Sequence, residues 1–254
     1  MAQLQRLSLI KERIISMALK RSRRTFVLAW GWAAASGLAG TLIKPFLFPF
    51  ARVALSARLI GMRSIAIGRN TLVSSRTWLN VNHPARGRKS IVIGNNCIIG
   101  ENNFLSSGRL IEIGDYVITA KDCAFLGSTH VYSDPCVPYG WSETSDRDTI
   151  SVGTNCFFGY GAQVIGNVSI GRGSVVGANA VVRTDVPPFS LVVGDPASII
   201  KRYSFRLRQW IRCSSDTQEH ELDHPDEDEY QTMLGKGNVL LPSVLGNDIF
   251  NSSY

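Results

Sequence analysis

From Ile67 onward the chain reads in units of six residues. Most units open with an aliphatic residue, glycine often follows, and a small residue usually stands at the fifth position, as in IGNNCI and VGTNCF. The period constrains the fold strongly, because each unit must be a structural repeat that stacks on its neighbours. Fifteen opening residues form five groups of three, at 67, 73, 79; 93, 99, 105; 113, 119, 125; 152, 158, 164; and 170, 176, 182.

Interruptions of the period fall after positions 79, 105 and 125, always after the third unit of a group. If three units form one triangular coil, all of these insertions leave the same corner of a prism. Each unit is then a short strand with one inward aliphatic residue, followed by a tight turn, and stacked strands lie about 4.8 Å apart. The period therefore predicts an all-β fold, a parallel β-helix of about five coils. A long loop, residues 126–151, leaves one corner of it.

Three of the five cysteines, Cys97, Cys123 and Cys156, stand at the fifth position of a unit. We expect them to be small inward core residues and not ligands or nucleophiles. No CxxC pair is present, which argues against a zinc ribbon or a disulfide scaffold and favours a reducing compartment.

The stretches IGDYVITAKDCAFLGSTHVYSDP and ISVGTNCFFGYGAQVIGNVSIGRGSVVGANAVVRTDVPPFSLVVGDPASIIKRY resemble the hexapeptide-repeat acyltransferases. The likeness covers roughly residues 61–203, and it is to the xenobiotic and sugar O-acetyltransferase branch, which includes galactoside, virginiamycin and colanic acid acetyltransferases. The resemblance implies a left-handed β-helix, a hand that general crossover rules do not favour. It further implies acetyl-CoA as co-substrate and a homotrimer with the cofactor in the groove between two prisms.

His130 stands where members of this family carry a catalytic histidine near the extended loop. A sugar hydroxyl is a poor nucleophile at neutral pH, and a neutral imidazole can take its proton as the oxygen attacks a thioester carbon. The alternative is a loop histidine that caps a turn. Asp134 is the nearest candidate to orient His130, although it could simply belong to the turn before Pro135. His83 leaves the same corner two coils earlier, and either lines the acceptor end of the groove or is an exposed loop residue.

The resemblance also indicates where the cofactor would lie. Pantetheine is expected to run along small residues that allow a close approach, and the CoA phosphates are expected near basic residues that could otherwise belong to a solvated face. Arg183 is displaced by one position from the lysine of the family pattern. The expected cofactor residues are Gly159, Tyr160, Gly177, Ala178, Arg183, Lys201 and Arg202.

Residues 1–60 carry ten basic residues and one acidic residue, and positions 26–43 are uncharged and mostly apolar. We expect a helical segment here. It could lie on an anionic membrane surface through residues 1–50, pack on the prism or another subunit, span the membrane, or act as a twin-arginine signal. Because acetyl-CoA is cytosolic, we expect a cytoplasmic protein, peripheral on the inner face of the plasma membrane.

The C-terminal region divides into two predicted parts. The stretch VGDPASIIKRY leads into a short helix in the family, which places one at 201–212, after a β-helix domain at 61–200. Residues 213–254 carry nine acidic residues and one basic residue, whereas the other 212 residues carry a net charge of +15. We expect this tail to be solvated and flexible. Its HELDH stretch, 220–224, matches a zinc motif only formally, and we expect no metal.

The resemblance as a whole implies an acetyl-CoA-dependent O-acetyltransferase that acts on a sugar hydroxyl in surface glycan or exopolysaccharide synthesis. The basic body suits the phosphates of CoA or an anionic lipid, and we expect no nucleic-acid partner. A non-catalytic β-helix scaffold is the main alternative. A carbonic anhydrase on the same prism would need a cluster of histidines, and the repeat region offers only His83 and His130.

Overall fold

A computed structural model describes residues 44, 46–213 and 224–236. The chain divides into two compact units, residues 1–199 and residues 200–254. The first unit contains the repeat, and the second contains a hairpin and a helix.

The first unit consists of three parallel sheets whose strands alternate along the chain, as three strands per coil require. Sheet A contains, in spatial order, β1 (Arg52–Val53), β4 (Leu72–Val73), β7 (Ile98–Ile99), β10 (Ile118–Thr119), β13 (Phe157–Phe158), β16 (Val175–Val176) and β18 (Ser190–Val193). Sheet B contains β2 (Arg58–Ile60), β5 (Trp78–Val81), β8 (Phe104–Ser107), β11 (Ala124–Leu126), β14 (Gln163–Ile165) and β17 (Val181–Val182). Sheet C contains β3 (Ile65–Ile67), β6 (Ile91–Ile93), β9 (Leu110–Ile113), β12 (Thr149–Val152) and β15 (Val168–Ile170).

The strand register agrees with the hexapeptide period. Opening residues of successive groups are direct partners, as in Val73 with Ile99 in sheet A and Leu79 with Leu105 in sheet B. These inward side chains form one continuous core, with Phe125 and Phe158 packed edge to face at 5.0 Å between ring centroids. The inward position predicted for the three cysteines is confirmed, since each is at most 1% exposed. Burial raises the pKa of Cys97 and of Cys123 to about 11.

Glycine at the second position of a unit is explained by coil stacking. A Cβ atom at Gly94 would lie 2.6 Å from the carbonyl carbon of Gly114, and one at Gly100 would lie 2.4 Å from the carbonyl oxygen of Ala120. In both cases the backbone of the next coil fills the space that a side chain would need. The glycines therefore let adjacent coils approach to hydrogen-bonding distance.

The β-helix begins at Arg52, inside the segment 1–60 that was predicted to be helical, so the predicted boundary at residue 61 is wrong. Val53 pairs with Val73 and Leu59 with Leu79, which adds two units six residues apart, separated from the unit at Ile67 by two extra residues. These units lack the glycine that marks the later ones, and they therefore did not stand out in the sequence. Residues 1–43, including the apolar stretch 26–43, lie outside the described residues.

The predicted helix at 201–212 is also wrong. Residues Ser198–Ser204 form β19 and Gln209–Arg212 form β20, and the paired residues 201–204 and 209–212 make an antiparallel hairpin in the second unit. Tyr203 and Trp210 are direct partners, and their rings pack edge to face at 5.5 Å. Cross-strand aromatic pairs stabilise antiparallel strands, and here they outweigh the helical preference inferred from the family.

Part of the predicted flexible tail is ordered. Residues Glu227–Lys236 form helix α1, in which Asp226 Oδ1 accepts a hydrogen bond from Glu229 N at 2.8 Å. Acidic residues at 227–229 occupy the first turn, where they interact favourably with the helix dipole. The acidic run that suggested a solvated tail is therefore a helix start. Residues 214–223, with most of the HELDH stretch, and residues 237–254 lie outside the described part.

In the described residues, no helix combines the length and the apolar character needed to cross a bilayer.

Candidate active site

Insertions of the repeat leave one edge of the prism, where sheet B passes into sheet C. We call it the B–C edge; it carries residues 82–90 between β5 and β6, residues 127–148 between β11 and β12, and residues 183–185 after β17. His83, His130 and Arg183 thus lie along one edge at different heights. The opposite connection, from sheet A to sheet B, consists of short turns, and we call it the A–B edge.

The loop 127–148 folds into a short two-stranded ribbon at its base. Val131 N donates to Glu143 O at 2.8 Å, Ser145 N donates to Thr129 O at 2.7 Å, and Ser128 Oγ donates to Ser145 O at 2.8 Å. His130 and Thr144 are direct partners in this ribbon. The residues that flank His130 are therefore held on both sides by backbone hydrogen bonds.

The His130 ring is exposed and faces one backbone carbonyl. Its Nδ1 atom lies 3.3 Å from Ser142 O and 3.5 Å from Ser142 Oγ. A carbonyl oxygen can only accept, so a neutral ring in this contact carries its proton on Nδ1. This tautomer leaves the lone pair on Nε2, the atom that a general base uses.

Asp134 is placed differently from the expectation. Its Oδ1 atom accepts a hydrogen bond from Cys136 N at 2.8 Å, which is a turn beside Pro135. Among the hydrogen bonds of the described residues, none joins Asp134 to His130. The contacts favour the Ser142 carbonyl as the group that orients the imidazole.

His83 contacts the loop from the lower coil. Its Nε2 atom lies 2.9 Å from Thr144 Oγ1, and the ring is half-buried. Because Thr144 is the ribbon partner of His130, this hydrogen bond ties the loop base to the connection two coils below. His83 is therefore engaged with the loop that carries His130.

The outer part of the loop presents aromatic side chains. Residues Tyr139–Trp141 form a 3₁₀ turn, and Ser142 Oγ donates back to Tyr139 O at 2.8 Å. Trp141 is 81% exposed and Tyr139 is 51% exposed. This turn precedes Ser142, the residue that contacts His130, so the aromatic rings and the imidazole belong to one local structure. The hexapeptide period carries no information about this pairing, which explains why Ser142, Thr144 and the aromatic turn were missed in the sequence.

Four of the expected cofactor residues lie on the A–B edge. Gly159 and Tyr160 follow β13, and Gly177 and Ala178 follow β16 one coil further along. A Cβ atom at Gly159 would lie 2.6 Å from Ala178 N, and one at Gly177 would lie 2.7 Å from Val193 Cγ1. The backbone of the next coil therefore excludes a side chain at Gly159 whether or not a cofactor binds there, whereas at Gly177 the nearest atom belongs to a valine side chain.

Tyr160 belongs to a polar network on the A–B edge. Its hydroxyl is hydrogen-bonded to Asp122, which raises the Tyr160 pKa, and a hydrogen bond from Asn102 holds the Asp122 pKa below its usual value. One coil lower, Glu101 accepts from Ser75 Oγ at 2.6 Å and pairs with Arg76 at 2.8 Å. The network is exposed and carries both signs of charge.

The basic residues expected near the CoA phosphates fall in both units. Arg183 is exposed at the B–C edge, at the end of β17. Lys201 and Arg202 lie in β19 of the second unit, where Arg202 Nη2 is 3.1 Å from His224 Nε2. Within the described ranges, no group of three histidine, cysteine or acidic residues is arranged to hold a metal ion.

Comparisons with known proteins point to acyl transfer. No protein-family model matches the sequence. The chain is 31% identical over 112 residues to "Probable acetyltransferase Rv3034c" of Mycobacterium tuberculosis, which covers 44% of this chain and 37% of that protein. It is 35% identical over 104 residues to a serine acetyltransferase of Buchnera aphidicola, which covers 41% of this chain and 38% of that protein. The chain thus spans less than half the length of these relatives.

Among solved structures, the fold is similar to that of AntD, an N-acyltransferase from Bacillus cereus in complex with dTDP and 3-hydroxybutyryl-CoA. The TM-score is 0.54 at 19% sequence identity, and the likeness covers 65% of this chain and 88% of AntD. At this identity the likeness speaks for the fold alone. The sequence relatives are named as acetyltransferases, and the likeness to AntD agrees with the β-helical fold of this chain.

Proposed function

We propose that this protein is an acetyl-CoA-dependent O-acetyltransferase that acts on a sugar hydroxyl, with His130 as the general base. The single observation that carries the proposal is the placement of His130. Its ring is exposed on an ordered loop base, and the contact from Nδ1 to the Ser142 carbonyl leaves Nε2 as the proton acceptor.

The reaction requires little else from the protein. Nε2 of His130 takes the proton of the acceptor hydroxyl while the oxygen attacks the thioester carbon of acetyl-CoA. The tetrahedral intermediate then collapses, the carbon–sulfur bond breaks, and the CoA sulfur leaves with the proton from the imidazolium. A hydrogen-bond donor must face the thioester oxygen as it gains charge, and in this family a backbone amide of a neighbouring coil supplies it.

The aromatic turn next to His130 suits a sugar acceptor. Sugar rings have apolar C–H faces that pack on exposed aromatic rings, and Tyr139 and Trp141 offer two such rings within three residues. We assign the acceptor to the outer loop and the cofactor to the A–B edge, with Arg183 as the candidate of the first unit for the phosphates.

This assignment requires more than one copy of the chain. His130 lies on the B–C edge, whereas Gly159, Tyr160, Gly177 and Ala178 lie on the A–B edge, so one prism does not join them at a common corner. The outward face of sheet A is apolar from β4 to β18, beyond Arg52 in β1, which suits packing against a second prism. The outward ladder consists of Leu72, Ile98, Ile118, Phe157, Val175 and Leu191. We propose a homotrimer in which these edges meet between subunits.

The cellular role follows by analogy. Sugar O-acetylation in this family serves surface glycan and exopolysaccharide synthesis, and the need for acetyl-CoA places the enzyme in the cytoplasm. The basic and apolar segment 1–50 would hold it at the anionic inner face of the plasma membrane.

The proposal is tested by incubating the purified protein with labelled acetyl-CoA and a panel of nucleotide sugars, amino sugars and lipid-linked oligosaccharides. Transfer to a hydroxyl that increases acetyl-CoA turnover supports it. Transfer to an amine alone would replace the O-acetyl assignment with N-acetylation. Binding without turnover of any acceptor would favour a scaffold.

A further inference from the structure

The first coil of the β-helix is closed by a firmly anchored segment. The Lys44 side chain is buried, and its ammonium donates to the carbonyl oxygens of Leu55 at 2.8 Å, Ala57 at 2.5 Å and Ala54 at 3.3 Å. Phe48 is 6% exposed and belongs to the core. Lys44 and Phe48 therefore fix this segment to the end of the prism at two points.

The same segment displays apolar side chains to solvent. Phe46 is 84% exposed, Phe50 is 63% exposed and Leu55, in the turn between β1 and β2, is 70% exposed. Phe46 and Phe50 precede β1, and Leu55 lies in the first coil, so all three are at the same end of the repeat. Their backbone is anchored, so the display of these side chains is built into the fold. Clustered exposed apolar residues of this kind mark an interaction surface more often than scattered ones do.

Basic residues predominate around this end. The sequence contains no acidic residue between Glu12 and Glu101, while positions 44–89 contain nine basic residues, of which Lys44 is buried and Arg76 pairs with Glu101 at 2.8 Å. Arg69 stacks over the Phe50 ring with its guanidinium carbon 4.8 Å from the ring centroid, so a cation and an exposed aromatic form one unit. A surface of protruding aromatic and aliphatic groups among arginines matches the interfacial region of an anionic bilayer.

We propose that this end of the prism, residues 46–76, is a membrane-docking face that inserts Phe46, Phe50 and Leu55 among anionic lipid headgroups. The proposal extends membrane attachment from segment 1–50 to the folded end of the prism, and it does not depend on transferase activity. In sheet B, β11 is the third strand beyond β2, so the loop with His130 would leave the prism about 14 Å above the docking face. If the proposed function holds, this height suits an acceptor sugar carried on a lipid.

The test is flotation of the full-length protein with vesicles of phosphatidylcholine alone or with 30% phosphatidylglycerol as the probe composition, roughly the anionic content of a bacterial membrane. Leu55→Ser and Phe46→Ser should each lower the partition coefficient roughly tenfold, as loss of one buried apolar side chain predicts. Leu207→Ser is the matched control, because Leu207 is also an exposed leucine at 47% but lies in the second unit. It should partition like the parent.

A charge variant covers the case in which an apolar substitution disturbs folding. Arg69→Gln should weaken binding to the anionic vesicles about fivefold at low salt, with a smaller effect at high salt, while Arg147→Gln on the long loop should have little effect. The proposal is overturned if the parent does not float, or if Leu55→Ser, Phe46→Ser and Arg69→Gln all float like the parent. In that case, a change in molecular mass of those variants by light scattering would show that the face contacts a second copy of the chain. An unchanged mass with lower thermal stability would show that the face contacts residues 1–43.

Discussion

The variant Gly159→Ala tests whether Gly159 is needed for the stacking of coils or for the binding of pantetheine, the role that the family resemblance assigns to it. The new Cβ atom would lie 2.6 Å from Ala178 N, a backbone atom that no side-chain rotation can move away. Adjacent coils are tied at this point by the hydrogen bond from Gly159 N to Val176 O at 2.8 Å, and by that from Asn179 N to Tyr160 O at 2.7 Å. Relief of the clash therefore requires that the coils separate and that these bonds lengthen.

The magnitude follows from two opposing effects. Overpacking of this kind costs about 1–3 kcal/mol, and a rigid backbone neighbour favours the upper end. Replacement of glycine by alanine restricts the unfolded chain, which returns about 0.4–1 kcal/mol. The net loss of about 2 kcal/mol should lower Tm by roughly 4–8 °C in a chain of this size.

The assay is thermal unfolding followed by circular dichroism, with Gly140→Ala as the matched control. Gly140 lies in the loop, and a Cβ atom there would meet nothing within 4 Å. The control has no clash to offset the restriction of the unfolded chain, so it should melt at the parent Tm or up to roughly 4 °C above it. Equal Tm values for both variants would refute the stacking argument, and a loss of CoA affinity without a loss of stability would assign Gly159 to the cofactor instead.

Three further predictions concern the loop, the subunit contact and the edge network. Thr144→Val removes the hydrogen bond to His83 and should lower kcat about fivefold with CoA affinity unchanged. Thr144→Ser keeps the hydroxyl and should behave like the parent. Equal kcat values for both variants would show that this hydrogen bond does not position the loop. Phe157→Glu places a charge on the apolar face of sheet A and should dissociate the trimer, as measured by light scattering. The control Ala66→Glu, on the outward face of sheet C, should leave the trimer intact. A trimer that survives Phe157→Glu would contradict the assigned contact. The hydrogen bond to Asp122 raises the Tyr160 pKa, so the contribution of this bond to stability is complete below the ordinary tyrosine pKa and is lost as pH rises through the raised pKa. The absorbance difference between the parent and Tyr160→Phe should therefore titrate above pH 10. Titration at or below this pH would contradict the hydrogen bond to Asp122.

The β-helix could be read from the sequence because its packing rule is local. One aliphatic residue per unit points inward, and Val73, Ile99 and Phe158 fall into register without knowledge of the rest of the chain. Units that keep the spacing but lack glycine, such as those opened by Val53 and Leu59, are less visible although they pair in the same way. The period therefore predicts the coils better than it predicts where they begin.

Structure outside the repeat depends on contacts that the period does not describe. The hairpin of β19 and β20 is held by the pair of Tyr203 and Trp210, seven residues apart, and the family pattern suggested a helix there. The geometry of the candidate site likewise depends on contacts outside the repeat. His130 could be singled out by its position after β11, but its contact with Ser142 depends on a twelve-residue excursion of the loop. Asp134, the closest acid in sequence, is instead occupied by its own turn.

The most direct test of the account is the kcat of His130→Asn. Asparagine keeps one hydrogen-bonding group near the Ser142 carbonyl but cannot accept the proton of the acceptor hydroxyl. Loss of a general base should lower kcat by about two to four orders of magnitude, while the affinity for CoA and the molecular mass stay unchanged. A variant that retains more than about a tenth of the parent kcat, with acetyl transfer as the rate-limiting step, would contradict the assignment of His130 as the base.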